Sequence, residues 1–269
     1  MSDQPQRFST NESHRARQMA ESFGIDPDRY DRTRPRYPEA MVERIIEASP
    51  GLDVLDVGTG TGVAARQFQA AGCRVLGVDV AARLAGFARR TGLAVEVATF
   101  EEWDPAGRTF DTVISGQAWH WVDPVAGAAK AARVLRLAGR LSAFWNVFQP
   151  PAELAEAFAA VYRRVLPDSP FSRGISGGLS TYTLQFTKTV DAIKHVGGFD
   201  APEQWRFDWN RTYTREEWLD VVPTFGGHSQ FPPGTLEQLM TAIGAAVDAA
   251  GGSFSMGYTT TVVTAARTA

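Results

Sequence analysis

Along residues 52–146, short apolar runs alternate with amphipathic stretches. Residues 52–57 (LDVLDV), 74–79 (RVLGVD), 93–98, 110–115 (FDTVIS) and 140–146 (RLSAFWN) read as strands: each is short, mostly apolar and bounded by turn residues. Between them, residues 62–71, 81–90 and 123–137 have helical spacing. Gly72, Gly92 and Gly139 stop these helices, and Asp123-Pro124 supplies an N-cap and a first-turn proline. Strands alternating with helices predict an α/β fold with a parallel sheet covered on both faces.

The flanks read differently. Residues 1–12 form a polar arm, and residues 13–23 suit a short helix. A segment rich in Arg, Tyr and Pro, from Tyr30 to Pro38, leads into a helix with Met41, Val42, Ile45 and Ile46 on one face. Beyond Asn146, a helix is expected over 152–166, with Leu154, Phe158, Val161 and Val165 at helical spacing. Residues 167–188, rich in Ser, Gly and Thr, are expected to form a loop or lid, followed by a short helix over 191–196. Residues 204–210 are strand-like, Thr214 and Glu217 form a capping-box pattern, 236–250 is helical and 253–265 is a last strand. No composition break divides the chain. The expected organisation is an arm and cover over 1–37, then one domain over 38–269 with a lid-like insertion around 148–188.

Composition narrows the function. Net charge is −3 over 269 residues, without the positive surplus that neutralises phosphates, so a nucleic-acid partner is not expected. Cys73 is the single cysteine, which excludes an intramolecular disulfide and fits a reducing compartment. No signal-like apolar core opens the sequence, and no apolar run approaches the roughly 20 residues that span a bilayer. The expected location is therefore the cytoplasm. The four histidines are scattered, with no metal-ligand spacing.

The candidate chemistry begins at Gly58-Thr59-Gly60-Thr61-Gly62, between a predicted strand and a predicted helix. Glycines permit positive φ and close ligand approach, and free N–H groups at a helix start favour an anion or carboxylate. Asp79 ends the next strand, where a carboxylate can accept from two ribose hydroxyls. The G-x-G-x-G spacing departs from the dinucleotide pattern G-x-G-x-x-G. Asp56, just before the loop, would repel a pyrophosphate but can accept from the ammonium of an amino-acid ligand. These features favour S-adenosylmethionine over NAD.

The segment VLDVGTGTG resembles motif I of the class I S-adenosylmethionine-dependent methyltransferases, and VLGVD resembles motif II. FDTVISGQAWHWVD is similar to motif IV of their type 11 group, and SFGIDPDRYDRTRPRYP to its N-terminal element. RVLRLAGRLSAFWN departs from that group in having Ala138-Gly139 where Pro-Gly is usual. The resemblance implies a Rossmann-like, seven-stranded, mostly parallel sheet with an antiparallel last strand. It implies S-adenosylmethionine as cofactor and methyl transfer to an O, N or C nucleophile of a small or medium organic molecule. The rival readings are a non-catalytic methyltransferase-like binding domain and an NAD-linked oxidoreductase; the loop spacing and Asp56 argue against the latter.

Asp79 with Val80 then belongs at the ribose, and Phe100 with Glu101 at the adenine. Tyr30, Arg34 and Tyr37 are expected to close over the cofactor, Arg34 pairing with its carboxylate. Gln117 is expected to act mainly through its backbone. Trp119, His120 and Trp121 follow the fourth strand and are expected to wall the acceptor site. His120 is a candidate general base, since imidazole titrates near pH 6.5; its alternative is a structural or cofactor-positioning role.

Overall fold

The computed structural model describes residues 25–167, 178–228, 231 and 233–268. The polar arm and the helix expected over 13–23 lie outside the described residues. Nine helices and seven strands are used below. They are α1 (Pro27–Thr33), α2 (Glu39–Glu47), β1 (Asp53–Val57), α3 (Val63–Ala70), β2 (Arg74–Asp79), α4 (Ala82–Arg90), β3 (Ala94–Val97), β4 (Phe110–Gly116), α5 (Pro124–Val134), β5 (Leu135–Gln149), α6 (Ala152–Val165), α7 (Gly178–Val196), β6 (Glu203–Thr214), α8 (Arg215–Val221), α9 (Pro233–Ala249) and β7 (Ser253–Ala266).

The strands join one sheet in the order β3-β2-β1-β4-β5-β7-β6. β7 runs antiparallel to both of its neighbours, and the other strands are parallel to one another. The Rossmann-like architecture implied by the resemblance is therefore present. Strand order reverses between β1 and β4, so a crevice opens at their carboxyl ends, where ligands bind in open α/β sheets.

Alternation within each strand explains the two main cores. Leu55 and Val57 of β1 face α5 and α7, with Val113, Leu141 and Trp145. Val54, with Val75, Ile114 and Phe144, faces α2, α3 and α4. A third cluster gathers Phe158 and Tyr162 of α6, Trp218 of α8, Ile243 of α9 and Tyr258 of β7. The caps read from sequence are present. Asp123 accepts from the Val125 and Ala126 N–H groups, and Thr214 and Glu217 close a capping box.

Two expectations change. Residues 178–188 are not loop: they begin the long helix α7. Tyr182, Phe186, Val190, Ile193 and Val196 recur at helical spacing and pack on the α5 side of the sheet. The Ser and Thr residues between them hide that period in composition; residues 168–177 of the expected lid lie outside the described residues. Next, α5 stops at Val134, and β5 is far longer than 140–146: Leu135 already pairs with Phe110 of β4, and β7 pairs with the strand from Arg140 to Gln149. Ala138, which stands where proline is usual, takes a positive φ of 61° at that turn.

Helix α1 is fastened across the top of the crevice. Asp220 of α8 accepts from Arg29 Nε at 3.0 Å and from Arg32 Nη2 at 2.8 Å. Asp31 pairs with Arg66 of α3. Asp220→Ala is expected to speed proteolytic cleavage within residues 25–36 severalfold while the sheet stays protected from hydrogen exchange. Unchanged cleavage would mean that α1 is held by other contacts.

Candidate functional site

Two adjoining hollows lie at the carboxyl ends of β1, β2, β4 and β5. The outer cleft measures about 560 Å³ and the inner cavity about 240 Å³. Tyr30, Arg34, Gly58, Gly60, Gly116, Gln117 and Tyr182 line both, so the two are continuous.

The glycine loop forms the floor. Gly58 has φ +69°, and a Cβ there would stand 2.4 Å from the Ala118 Cβ, so only glycine fits. The loop is strung between two buried carboxylates. Thr59 Oγ1 donates to Asp56 Oδ2 at 2.8 Å. The Gly60 and Ala81 N–H groups donate to the two oxygens of Asp79, each at 2.7 Å. Burial pushes the Asp56 carboxyl up to about 7, with the nearby Asp79 charge adding to it and the Thr59 hydroxyl opposing it. Burial also raises Asp79, against the pull of the Ala81 and Gly60 N–H groups. Thr61 Oγ1 is buried beside the inner cavity without a hydrogen-bond partner among the described residues. Sequence reading passed over Thr61, although it stands in the same loop as Thr59.

The predicted residues separate into groups. Asp79, Val80, Phe100 and Glu101 line the outer cleft, and Asp56 and Thr59 the inner cavity. Gly62 lines neither. It is the N-cap of α3 at φ +90°, and its N–H donates to the Thr59 carbonyl, so its part is structural. Phe100 is nearly buried between Trp103 and Trp119 and gives the cleft a firm apolar edge. The Glu101 carboxylate accepts from the Asp123 N–H at 2.7 Å, which ties the loop after β3 to the start of α5.

Trp119, His120 and Trp121 line the outer cleft alongside Asp79, not the inner cavity. Trp119 is buried in the core, where its large apolar surface is better spent than on an open wall. His120 Nδ1 accepts a long hydrogen bond of 3.3 Å from Trp145 Nε1. An indole N–H only donates, so the neutral imidazole carries its proton on Nε2 and offers no lone pair to a substrate. Burial holds the imidazole down at about 4. This geometry fits the positioning reading of His120 rather than that of a general base.

The walls of the inner cavity come from distant segments. Tyr30, Arg34 and Tyr37 come from α1 and the stretch after it, Asn146 and Phe148 from β5, Tyr182 from α7, Trp218 from α8, Phe225 from the turn beyond, and Tyr258 from β7. Asn146 had a signal in sequence, since it ends a predicted strand. Arg34 donates to the Thr224 carbonyl and lies over the rings of Tyr30, at 4.5 Å, and Phe225, at 5.7 Å. Its charge bears on the hydroxyls of Tyr37, Tyr182 and Tyr258. Gln117 has φ +55°, and its side chain is fixed by donating to the Asn146 carbonyl at 3.2 Å.

A family model described as a methyltransferase domain matches residues 54–139. An uncharacterized methyltransferase of Mycobacterium tuberculosis is 38% identical over 133 residues, covering 48% of this chain and 54% of the relative. The chain thus spans about half the length of that relative. A malonyl-[acyl-carrier protein] O-methyltransferase of Enterobacter lignolyticus is 27% identical over 213 residues, covering 73% of this chain and 84% of the relative. Among solved structures, one from Anaeromyxobacter dehalogenans, assigned as a type II methyltransferase, superposes with TM-score 0.63 at 21% identity, covering 86% of this chain and 97% of its own. The likeness to that structure lies in the fold.

The geometry of His120 gives an expected outcome. Its imidazole should show no titration between pH 5 and 8 by NMR and should be protonated on Nε2. A pKa near the ordinary 6.5 would restore it as a base. His120→Leu, which leaves the Trp145 N–H without its acceptor, should cost about 1–3 kcal/mol of stability.

Proposed function

We propose, from the premise that this chain carries a class I S-adenosylmethionine-dependent methyltransferase domain, that it methylates a small or medium organic molecule seated in the inner cavity. The observation that carries this reading is the continuity of the cleft beside Asp79 with an aromatic chamber at the reversal point of the sheet. Asp79 would accept from the ribose hydroxyls while Val80, Phe100 and Glu101 border the adenine. Asp56 would accept from the cofactor's ammonium, and Thr61 with the N–H groups opening α3 would meet its carboxylate. The unpartnered Thr61 hydroxyl and the buried, ligand-facing Asp56 fit a bound group with those charges. Tyr30 would cover it from α1.

The cofactor supplies an activated methyl group on a sulfonium. The chain's own residues align the acceptor and exclude water, which is where most of the rate enhancement would arise. Trp218, Phe225, Phe148 and Tyr258 make the chamber mostly apolar, which favours a compact organic acceptor over a polynucleotide. The name of the Enterobacter relative favours an oxygen nucleophile. With one cysteine, which is buried, the chain suits the reducing cytoplasm, and we place it there.

Calorimetry tests the cofactor. S-adenosylmethionine or S-adenosylhomocysteine should bind in the micromolar range, about −8 kcal/mol. Asp79→Ala should weaken that binding at least about tenfold, because each lost hydrogen bond to a charged group is worth roughly 1.5–3 kcal/mol. Tighter binding of NAD than of either ligand would overturn the reading.

A further inference from the structure

The sheet ends in two strands of different kinds. β3 closes one side with four residues, and β6 closes the other with twelve. The outer edge of a strand presents unpaired N–H and carbonyl groups, a template for another chain. Edges are blunted by short strands, bulges, prolines or charges. β3 is blunted by its length. β6 carries no proline and follows β7 from Glu203 to Thr214 without a register shift, so no bulge turns it away. Among the described residues, nothing pairs with the outer backbone of 203–213. Its guard is charge alone: Glu203, Arg206, Asp208 and Arg211.

Alternation gives these charges two faces. Arg206 and Asp208 share the exposed face with Gln204, Asn210 and Thr212, and their side chains lie 3.4 Å apart, open to water. Glu203 and Arg211 share the opposite face with Trp205, Phe207 and Trp209. Glu203 meets Arg140 at 3.3 Å. Arg211 lies over the Tyr213 ring, 4.5 Å from its centre, with no carboxylate in reach among the described residues. Phe207 and Trp209 are only half-buried, although they stand in the middle of the strand.

This order of residues is self-complementary. Two antiparallel copies of one strand, related by a twofold axis normal to the sheet, pair about a central residue, because opposed residues must share both a face and a hydrogen-bonding side. Centring on Arg206, Asp208 or Arg211 sets like charges against each other, which is unfavourable. Centring on Phe207 sets Arg206 against Asp208 of the other copy and Glu203 against its Arg211, each pair occurring twice. It also sets Trp205 against Trp209 and Phe207 against itself, the kind of aromatic pairing that stabilises sheets. No other centre within β6 opposes unlike charges. We propose that two copies of this chain join through β6, antiparallel about Phe207, into one sheet that runs through both. The charges that guard the edge against other strands thus select its own copy. Trp209 stacks on Tyr258 at 4.3 Å, and Tyr258 lines the inner cavity, so the joint also backs one wall of that chamber.

Sedimentation of the full chain tests this, and a dimer is expected at micromolar concentration. Arg206→Asp leaves only acidic groups among the charges of the exposed face, and Asp208→Arg leaves only basic ones. Each alone should raise the dimer dissociation constant at least about tenfold, with the circular dichroism of the fold unchanged. An equimolar mixture of the two variants should dimerise again, because each charge then meets its opposite. Mixing would not repair a loss that came from the broken pair within one strand. Phe207→Cys places two thiols directly across the axis, at the Cα separation of about 4.5–5.5 Å that a disulfide spans. Mild oxidation should therefore link the copies through position 207, whereas Thr212→Cys should leave them unlinked; the native Cys73 is buried. A monomeric chain would overturn the proposal. So would a dimer indifferent to either charge variant, a mixture that stays monomeric, or cross-linking through position 212 in place of 207.

Discussion

Two carboxylates buried at the ends of adjacent strands organise this protein. Asp56 closes β1 and Asp79 closes β2, and each is nearly inaccessible to water. Burying like charges so close together is unfavourable unless donors or a cation meet them. The glycine loop supplies the donors: the Thr59 hydroxyl turns to one carboxylate, and the Gly60 N–H turns to the other. A loop held at both ends in this way has its backbone conformation fixed before any ligand arrives. Asp79 then has two N–H partners, Gly60 and Ala81, while Asp56 has the Thr59 hydroxyl and the Ala65 N–H, and burial still pushes its carboxyl up to about 7. The remaining deficit at Asp56 is what a cationic group in the inner cavity would satisfy.

The second half of the chain completes that site. Without β7 paired along β5, Tyr258 would not stand beside Phe148 and Asn146. Without α8 packed in the third cluster, Trp218 and Phe225 would not roof the chamber. Asp220 then ties this roof to α1, which carries Tyr30. The floor is thus built by the glycine-loop half, and the roof by α1 together with the second half of the chain. His120 belongs to the floor side: bonded to Trp145 of β5, it braces the segment after β4 beside the outer cleft.

Much of the fold was legible because the signals were local. The strand–helix alternation, the Asp123 cap, the Thr214–Glu217 capping box and the glycine loop each depend on residues a few positions apart. The loop's two carboxylates were legible too, since each ends a predicted strand. Misreadings arose where composition or distance decided. Helix α7 was hidden because its Ser and Thr residues obscure the spacing of Tyr182, Phe186, Val190 and Ile193. The aromatic triplet 119–121 was placed at the acceptor because it follows β4, yet Trp119 had a core to fill beside Phe100. Arg34 was aimed at the cofactor; it lines both hollows, and Thr224 and Phe225, which lie far along the chain, hold it there. No local pattern brings Trp218 and Tyr258 to one cavity; tertiary pairing does.

The account turns on Asp56 as the receptor of a cationic ligand group, and its titration reports this directly. In the free protein its carboxyl should titrate at about 7 by carbon NMR, because burial disfavours the charged form. An ammonium beside it favours that charged form, so saturating S-adenosylhomocysteine should move the titration well below 7. By linkage, affinity should then fall as pH drops below 7 and level off above it. An Asp56 carboxyl that titrates near 4 in the free protein, or one whose titration is unmoved by the bound ligand, would contradict the account.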